Sequence, residues 1–295
     1  MFPKVPDQHK TGKPLIPNGI GVLYVLFTTV YLFLIYFSGI APASNGVSEP
    51  LTLAVCILFG GFMGLLDDWM DLKWRYKAFM PLIAALPLIY LTLADPFART
   101  SISLPLLGVI DFGQAYYFLV IPLIIMIVTN TVNMLGGLNG LESLCPAIVL
   151  MGLMALSPMH LVLMLGPLIF WLILTGFNLQ GKIFVGNSGS FAMGMTVASF
   201  AVITDLKLPL LISIIPYVFN SSLILLTIFF TKNRAKVTFD GKKLVADHRK
   251  SLVTLITYRR PLTERKVVAV ISLIVLFFTL AAVATSLLGP HLAFS

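Results

Sequence analysis

The stretch YYFLVIPLIIMIVTNTVNMLGGLNGLE, residues 116–142, decides how the rest of the chain is read. Its first part, 116–135, carries no charge, and an α-helix needs about 20 such apolar residues to cross a ~30 Å hydrocarbon layer. Amides, glycines and Glu142 follow at once. Inside lipid the backbone must satisfy its own hydrogen bonds, so an apolar run of this length predicts a transmembrane helix. The polar cluster then sits at the helix end, where water or a ligand can meet it.

The same pattern recurs outward in both directions. Candidate spans run over 20–40, 51–66, 77–94, 116–135, 141–156, 159–179, 190–204, 209–231 and 267–289. The expected fold is therefore all-α, a polytopic transmembrane bundle of about nine spans. Residues 1–295 form one integral membrane domain with a cytoplasmic loop at 232–266. Composition agrees: 58% of residues are hydrophobic and 11% charged, against about 25% charged in soluble domains. The net charge of +8 fits basic cytoplasmic loops and argues against a nucleic-acid partner. Cys56 and Cys145 lie in or beside apolar runs and offer neither a disulfide framework nor a CxxC metal site. The basic N-terminal segment leads into a full-length span, so no cleavable signal peptide is expected.

Charge bias orients the spans. With the N-terminus cytoplasmic, eighteen of the twenty lysines and arginines fall inside and only Arg99 and Lys207 outside. An odd span number then carries the C-terminus across the membrane. The external segment 95–115 alternates weakly around Ser101–Leu104, which predicts a short hairpin.

Four polar clusters collect at the inner face. Asp67, Asp68 and Asp71 precede Lys73, Arg75 and Lys77; on a continuing helix Asp67 and Asp71 share a face. Adjacent carboxylates call for a cation or a proton, or else form a solvated helix end. Asn130 and Asn133 lie three residues apart before the glycines of 136–140, which suits amide ligation of a metal, or equally interhelical hydrogen bonding before a turn. FVGNSGS, residues 184–190, opens a span and is either an anion site at a helix N-terminus or an ordinary cap. The loop beginning Lys232, Asn233, Arg234 clamps a pyrophosphate or simply obeys the charge rule. Remote segments supplying carboxylates, amides, a helix N-terminus and cations to one face point to a site for a divalent cation and a diphosphate.

With these residues the chain resembles the polyprenyl-phosphate N-acetylhexosamine-1-phosphate transferases. The resemblance runs from about Pro17 to Lys236 and is carried by Asp67-Asp68 with Trp74, Arg75 and Lys77, then by NxxNxxGGxNGxE and FVGNSG in that order. It is most similar to the eukaryotic and archaeal branch that uses UDP-N-acetylglucosamine and dolichyl phosphate. The resemblance implies an enzyme dependent on Mg²⁺, or Mn²⁺ in its place, that moves a hexosamine-1-phosphate from a UDP-sugar to a polyprenyl or dolichyl phosphate and releases UMP, opening lipid-linked glycan assembly. It implies catalytic roles for Asp67, Asp68 and Lys77, and metal ligation by Asn133, Asn187 and Asp68. Substrate binding falls to Asn18, Asn130, Gly137, Asn139, Glu142, Lys232 and Arg234, with Asn139 and the glycines holding uracil.

Two departures stand out. The family's usual metal-ligating Asp in the third motif is Asn187 here, which predicts weaker metal affinity or help from Asp71. Pro17-Asn18-Gly19 resembles the loop that ordinarily follows a first span, which predicts that this span is missing. The triple-His loop of the peptidoglycan branch is absent, so a muramyl-pentapeptide substrate is disfavoured. The rival reading is a multi-span transporter of an anionic substrate, which places polar groups near the bilayer midplane rather than at span ends. Gly60 and Gly64, in GxxxG spacing, suit helix packing or a homodimer.

Overall fold

Helix α9, Gly186–Ile203, is the axis of the molecule, and every residue from Ser188 to Val202 is buried. A computed structural model describes residues 2–41, 47–96, 98–104, 108–231 and 237–292. Around α9 stand α1 (Gly21–Ser38), α2 (Glu49–Met70) and a broken descent through α3 (Trp74–Phe79), α4 (Pro81–Ala84) and α5 (Leu86–Ala94). Next come α6 (Ile121–Met134), α7 (Leu141–Leu156), α8 (Leu161–Leu179), α10 (Lys207–Ser213), α11 (Ile215–Thr231), the short α12 (Leu252–Ile256) and α13 (Glu264–Leu292).

The all-α bundle expected from the sequence is what forms, with a correction to the span count. Six helical stretches among the described residues are long and apolar enough to cross a membrane, and a seventh arises if α10 and α11, bent by 54°, count as one. The two remaining expected spans fall short for different reasons. Helix α7 has 16 residues, about 24 Å at 1.5 Å per residue. Helix α9 carries three Gly and three Ser because it touches protein on all sides, and close packing there favours small side chains at the contacts.

That close packing is specific. A Cβ on Gly64 of α2 would lie 2.1 Å from the Asn187 carbonyl oxygen, and one on Gly21 of α1 would lie 2.1 Å from Gly189 Cα. Gly60 likewise faces Met195 and Phe191. The GxxxG pair is therefore consumed inside the chain, and a homodimer would need another surface.

Three small antiparallel pairs decorate the bundle. β1 (Lys4–Pro6) pairs with β2 (Leu15–Pro17), β3 (Ser101–Leu104) with β4 (Gly108–Asp111), and β5 (Thr238–Phe239) with β6 (Leu244–Val245). The second is the hairpin expected within 95–115, in register Ser101 with Asp111.

Candidate active site

The C-terminal end of α2 presents two neighbouring carboxylates to different partners. Asp68 reaches the N-terminus of α9, where Oδ1 accepts from the Asn187 N–H and Oδ2 from the Ser188 N–H, both at 3.0 Å. The anion that the FVGNSGS turn attracts is thus Asp68 itself, held by unpaired N–H groups and the positive end of the helix dipole. Gly186, at φ +71, allows this approach, since a Cβ there would stand 2.9 Å from Asp68 Oδ2. Asp67 points the other way and is 4% exposed; its Oδ1 binds Lys77 Nζ at 2.7 Å and accepts from the Leu72 N–H, while Oδ2 has no hydrogen-bond partner.

The helix does not continue through Asp71 as the sequence reading assumed. It stops at Met70, and Asp71 takes a left-handed conformation, φ +45, as the C-cap. Its side chain is 98% exposed and meets Lys77 at 3.6 Å, facing away from the cavity described next.

A cavity of about 280 Å³ gathers Asn18, Asp68, Gly137, Asn139, Glu142 and Asn187 in its lining. Segments as distant as β2, α2, α7 and α9 meet there because the strand end docks on the α9 entry: the Phe184 N–H donates to the Pro17 carbonyl (2.8 Å) and the Gly21 N–H to the Val185 carbonyl (2.9 Å). Asp7, Gln8 and His9, from the turn between β1 and β2, close one side of it. A neighbouring cavity of about 560 Å³ shares Gln8, His9, Gly137 and Leu138 and extends to Asn220, Ser251 and Thr254.

The other residues expected at the site are placed around it. Asn133 Oδ1 accepts from Ser190 Oγ at 2.6 Å, which fixes the amide against α9. Asn130 Nδ2 donates to the carbonyls of Met126 and Ala78, so this amide ties α6 to α3 and lines neither cavity. Asn139 is 5% exposed, and its Nδ2 donates to Asp7 Oδ2 (2.8 Å) and Glu264 Oε1 (3.0 Å). Its Oδ1 is shut away without a partner, so the side chain acts as a clasp between the N-terminal hairpin and α13. Lys232 and Arg234 lie outside the described residues.

Sequence reasoning missed Asp7, His9 and Glu264. The available signal, a weak one, was the pair of proline-ended triplets, Lys4–Pro6 and Leu15–Pro17, flanking the turn residue Gly12. It also missed Ser190 as the group orienting Asn133.

The family model described as glycosyl transferase family 4 matches residues 50–205, which include nearly all of α2, the whole of α6, α7 and α9, and Asp68, Glu142 and Asn187 of the cavity lining, but not the N-terminal turn. A relative from Saccharolobus solfataricus is 30% identical over 277 residues, 90% of this chain and 82% of its own length. One from Sulfolobus acidocaldarius is 31% identical over 228 residues, 72% of this chain and 66% of its own length. Both bear, provisionally, the name UDP-N-acetylglucosamine–dolichyl-phosphate N-acetylglucosaminephosphotransferase. The Schizosaccharomyces pombe enzyme of that name is 25% identical over 265 residues, and the match spans 74% of this chain and 59% of that protein.

Proposed function

We propose that this chain, which belongs to glycosyl transferase family 4, transfers N-acetylglucosamine-1-phosphate from UDP-N-acetylglucosamine to a polyprenyl or dolichyl phosphate and releases UMP. The observation that carries this reading is the one cavity in which Asp68, Glu142 and Asn187 converge from distant segments, inside the region the family model matches. Relatives named for both substrates supply the substrate class. The active face is cytoplasmic, which rests on the eighteen-to-two charge bias and on where a water-soluble nucleotide sugar meets a lipid acceptor.

In this reaction an oxygen of the lipid phosphate bonds to the β-phosphorus of the nucleotide sugar. The bond from that phosphorus to the oxygen bridging the α-phosphorus breaks, and UMP leaves with the bridging oxygen. Such chemistry needs positioning and charge neutralisation above all. Asp68, clamped by two N–H donors, gives the cavity a carboxylate that cannot swing. Lys77 neutralises Asp67 at 2.7 Å, and since neither lines the cavity this pair serves to steady the inner end of α2 beside Asp68.

Mg²⁺, with Mn²⁺ as substitute, suits the donor set. Asp68, Glu142, Asn187 and the nearby Asn133 are hard oxygen donors, and no group of three Asp, Glu, His or Cys gathers among the described residues. A cation held by one or two carboxylates and the substrate's own phosphates is the ordinary habit of Mg²⁺. The chemistry it supplies when bound is neutralisation of charge on the diphosphate.

The test incubates purified protein with labelled UDP-N-acetylglucosamine, Mg²⁺ and either dolichyl or undecaprenyl phosphate. UMP and a lipid-soluble labelled product are expected with at least one acceptor; no UMP with any pair overturns the reading. Sealed vesicles of known sidedness check orientation, since only a cytoplasm-facing site uses UDP-sugar supplied to that side.

A further inference from the structure

Glu142 is the one carboxylate lining the cavity to which no described residue offers a hydrogen-bond donor or a cation. Asp68, facing the same space, has its charge met by the N–H groups of Asn187 and Ser188. Asp68, in the same lining, bears a like charge that repels Glu142. The Glu142 carboxylate lies over Gly136, where a Cβ would come within 2.8 Å of Oε2.

Two carboxylates facing one cavity, one of them without a partner, are relieved when a cation or a proton joins them. Asn187 also lines the cavity, and the oxygen of its amide is a hard donor of the kind a divalent cation takes. Asp71 is unsuited to help, being turned to solvent and engaged by Lys77.

We propose that Glu142 and Asp68 together form the charged part of a divalent-cation site, with Glu142 supplying the negative charge that Asn187 lacks. The proposal deepens the transferase reading and rests on it for the identity of the diphosphate that completes the coordination shell. Ligand charge count governs affinity at hard-cation sites, so exchanging charge between positions 142 and 187 moves affinity predictably.

The experiment measures Mn²⁺, a paramagnetic stand-in, bound to the purified full chain by electron paramagnetic resonance, with Mg²⁺ as competitor, with and without UDP. Wild type is expected to bind one Mn²⁺ displaceable by Mg²⁺, and Glu142→Gln to weaken binding about tenfold or more. Asn187→Asp is expected to tighten it, and the pair Glu142→Gln with Asn187→Asp to return it to about the wild-type level. Unchanged affinity in Glu142→Gln, or no Mn²⁺ bound by wild type under either condition, overturns the proposal. Should Glu142→Gln fail to fold by its thermal midpoint, Glu142→Asp replaces it: a carboxylate drawn back by one methylene should weaken Mn²⁺ binding, and unaltered binding counts against the site. Binding that depends on Glu142 without UMP release from any UDP-sugar keeps the cation site and removes the reaction. UMP release with Mn²⁺ affinity indifferent to residue 142 does the reverse.

Discussion

Beyond the far end of α9, Lys207 is 4% exposed, yet every side of its ammonium is met: Asp205 Oδ1 at 2.8 Å, the Ser101 carbonyl at 3.1 Å, the Arg99 carbonyl, and the face of Tyr116 with the ring centre 4.2 Å away. At the near end, the cavity beside Asp68 holds a carboxylate with none of these comforts. Both regions place charge in apolar surroundings, which is costly unless partners are provided. The first region is complete without a ligand and serves to fasten the 95–115 hairpin to α10. The second is incomplete without one, and that incompleteness supports the proposal that chemistry happens there.

Substitutions at the two ends should therefore separate activity from stability. Asp68→Ala is expected to have the largest effect, a fall in kcat of about 10³-fold, or about 4 kcal/mol. The thermal midpoint in detergent should move only as far as a lost helix cap allows, about 1 kcal/mol. A small loss of kcat with a large loss of stability would instead make Asp68 a structural cap.

Gly64→Ala comes next, since its Cβ would intrude to 2.1 Å from the Asn187 carbonyl and pry α2 from α9. Thermal unfolding should register about 1–3 kcal/mol of overpacking. Activity should fall further than the folded fraction does, because Asn187 moves with the backbone. Lys207→Met should cost about 1–3 kcal/mol by leaving two carbonyls and Asp205 short of a donor. Its kcat/KM per folded molecule should stay unchanged; a drop would mean that the far end is coupled to the cavity. Smallest of all, Thr11→Ala removes an exposed hydrogen bond to the Gly241 carbonyl and should shift stability by no more than about 0.5 kcal/mol, with KM for the nucleotide sugar within twofold.

The apolar runs at 20–40, 51–66 and 116–135 were plain in the sequence because lipid demands length and hydropathy, and both are local properties. So was the gathering of Asp68, Asn139, Glu142 and Asn187, since polar residues at span ends sort by side once the spans are oriented. The fate of each polar residue within that group was not legible. Asp67 and Asp68 are adjacent and chemically alike, yet one is neutralised by Lys77 and the other by a helix terminus, a distinction set by which neighbour each faces. Asn130 and Asn139 read as ligand-binding amides, but their donors are spent on protein acceptors. Asp71 was assigned a helical face that a single left-handed residue abolishes. The hairpin carrying Asp7 and His9 was missed because strands of three residues leave only a weak pattern.

The Gly- and Ser-rich composition of α9 bears on biogenesis. A segment with three glycines and three serines, buried over most of its length, is retained by its protein neighbours as well as by lipid. Its entry into the bilayer then depends on α2 and α6 already waiting to receive it, so the segment that assembles the catalytic cavity is also the one whose insertion must be cooperative.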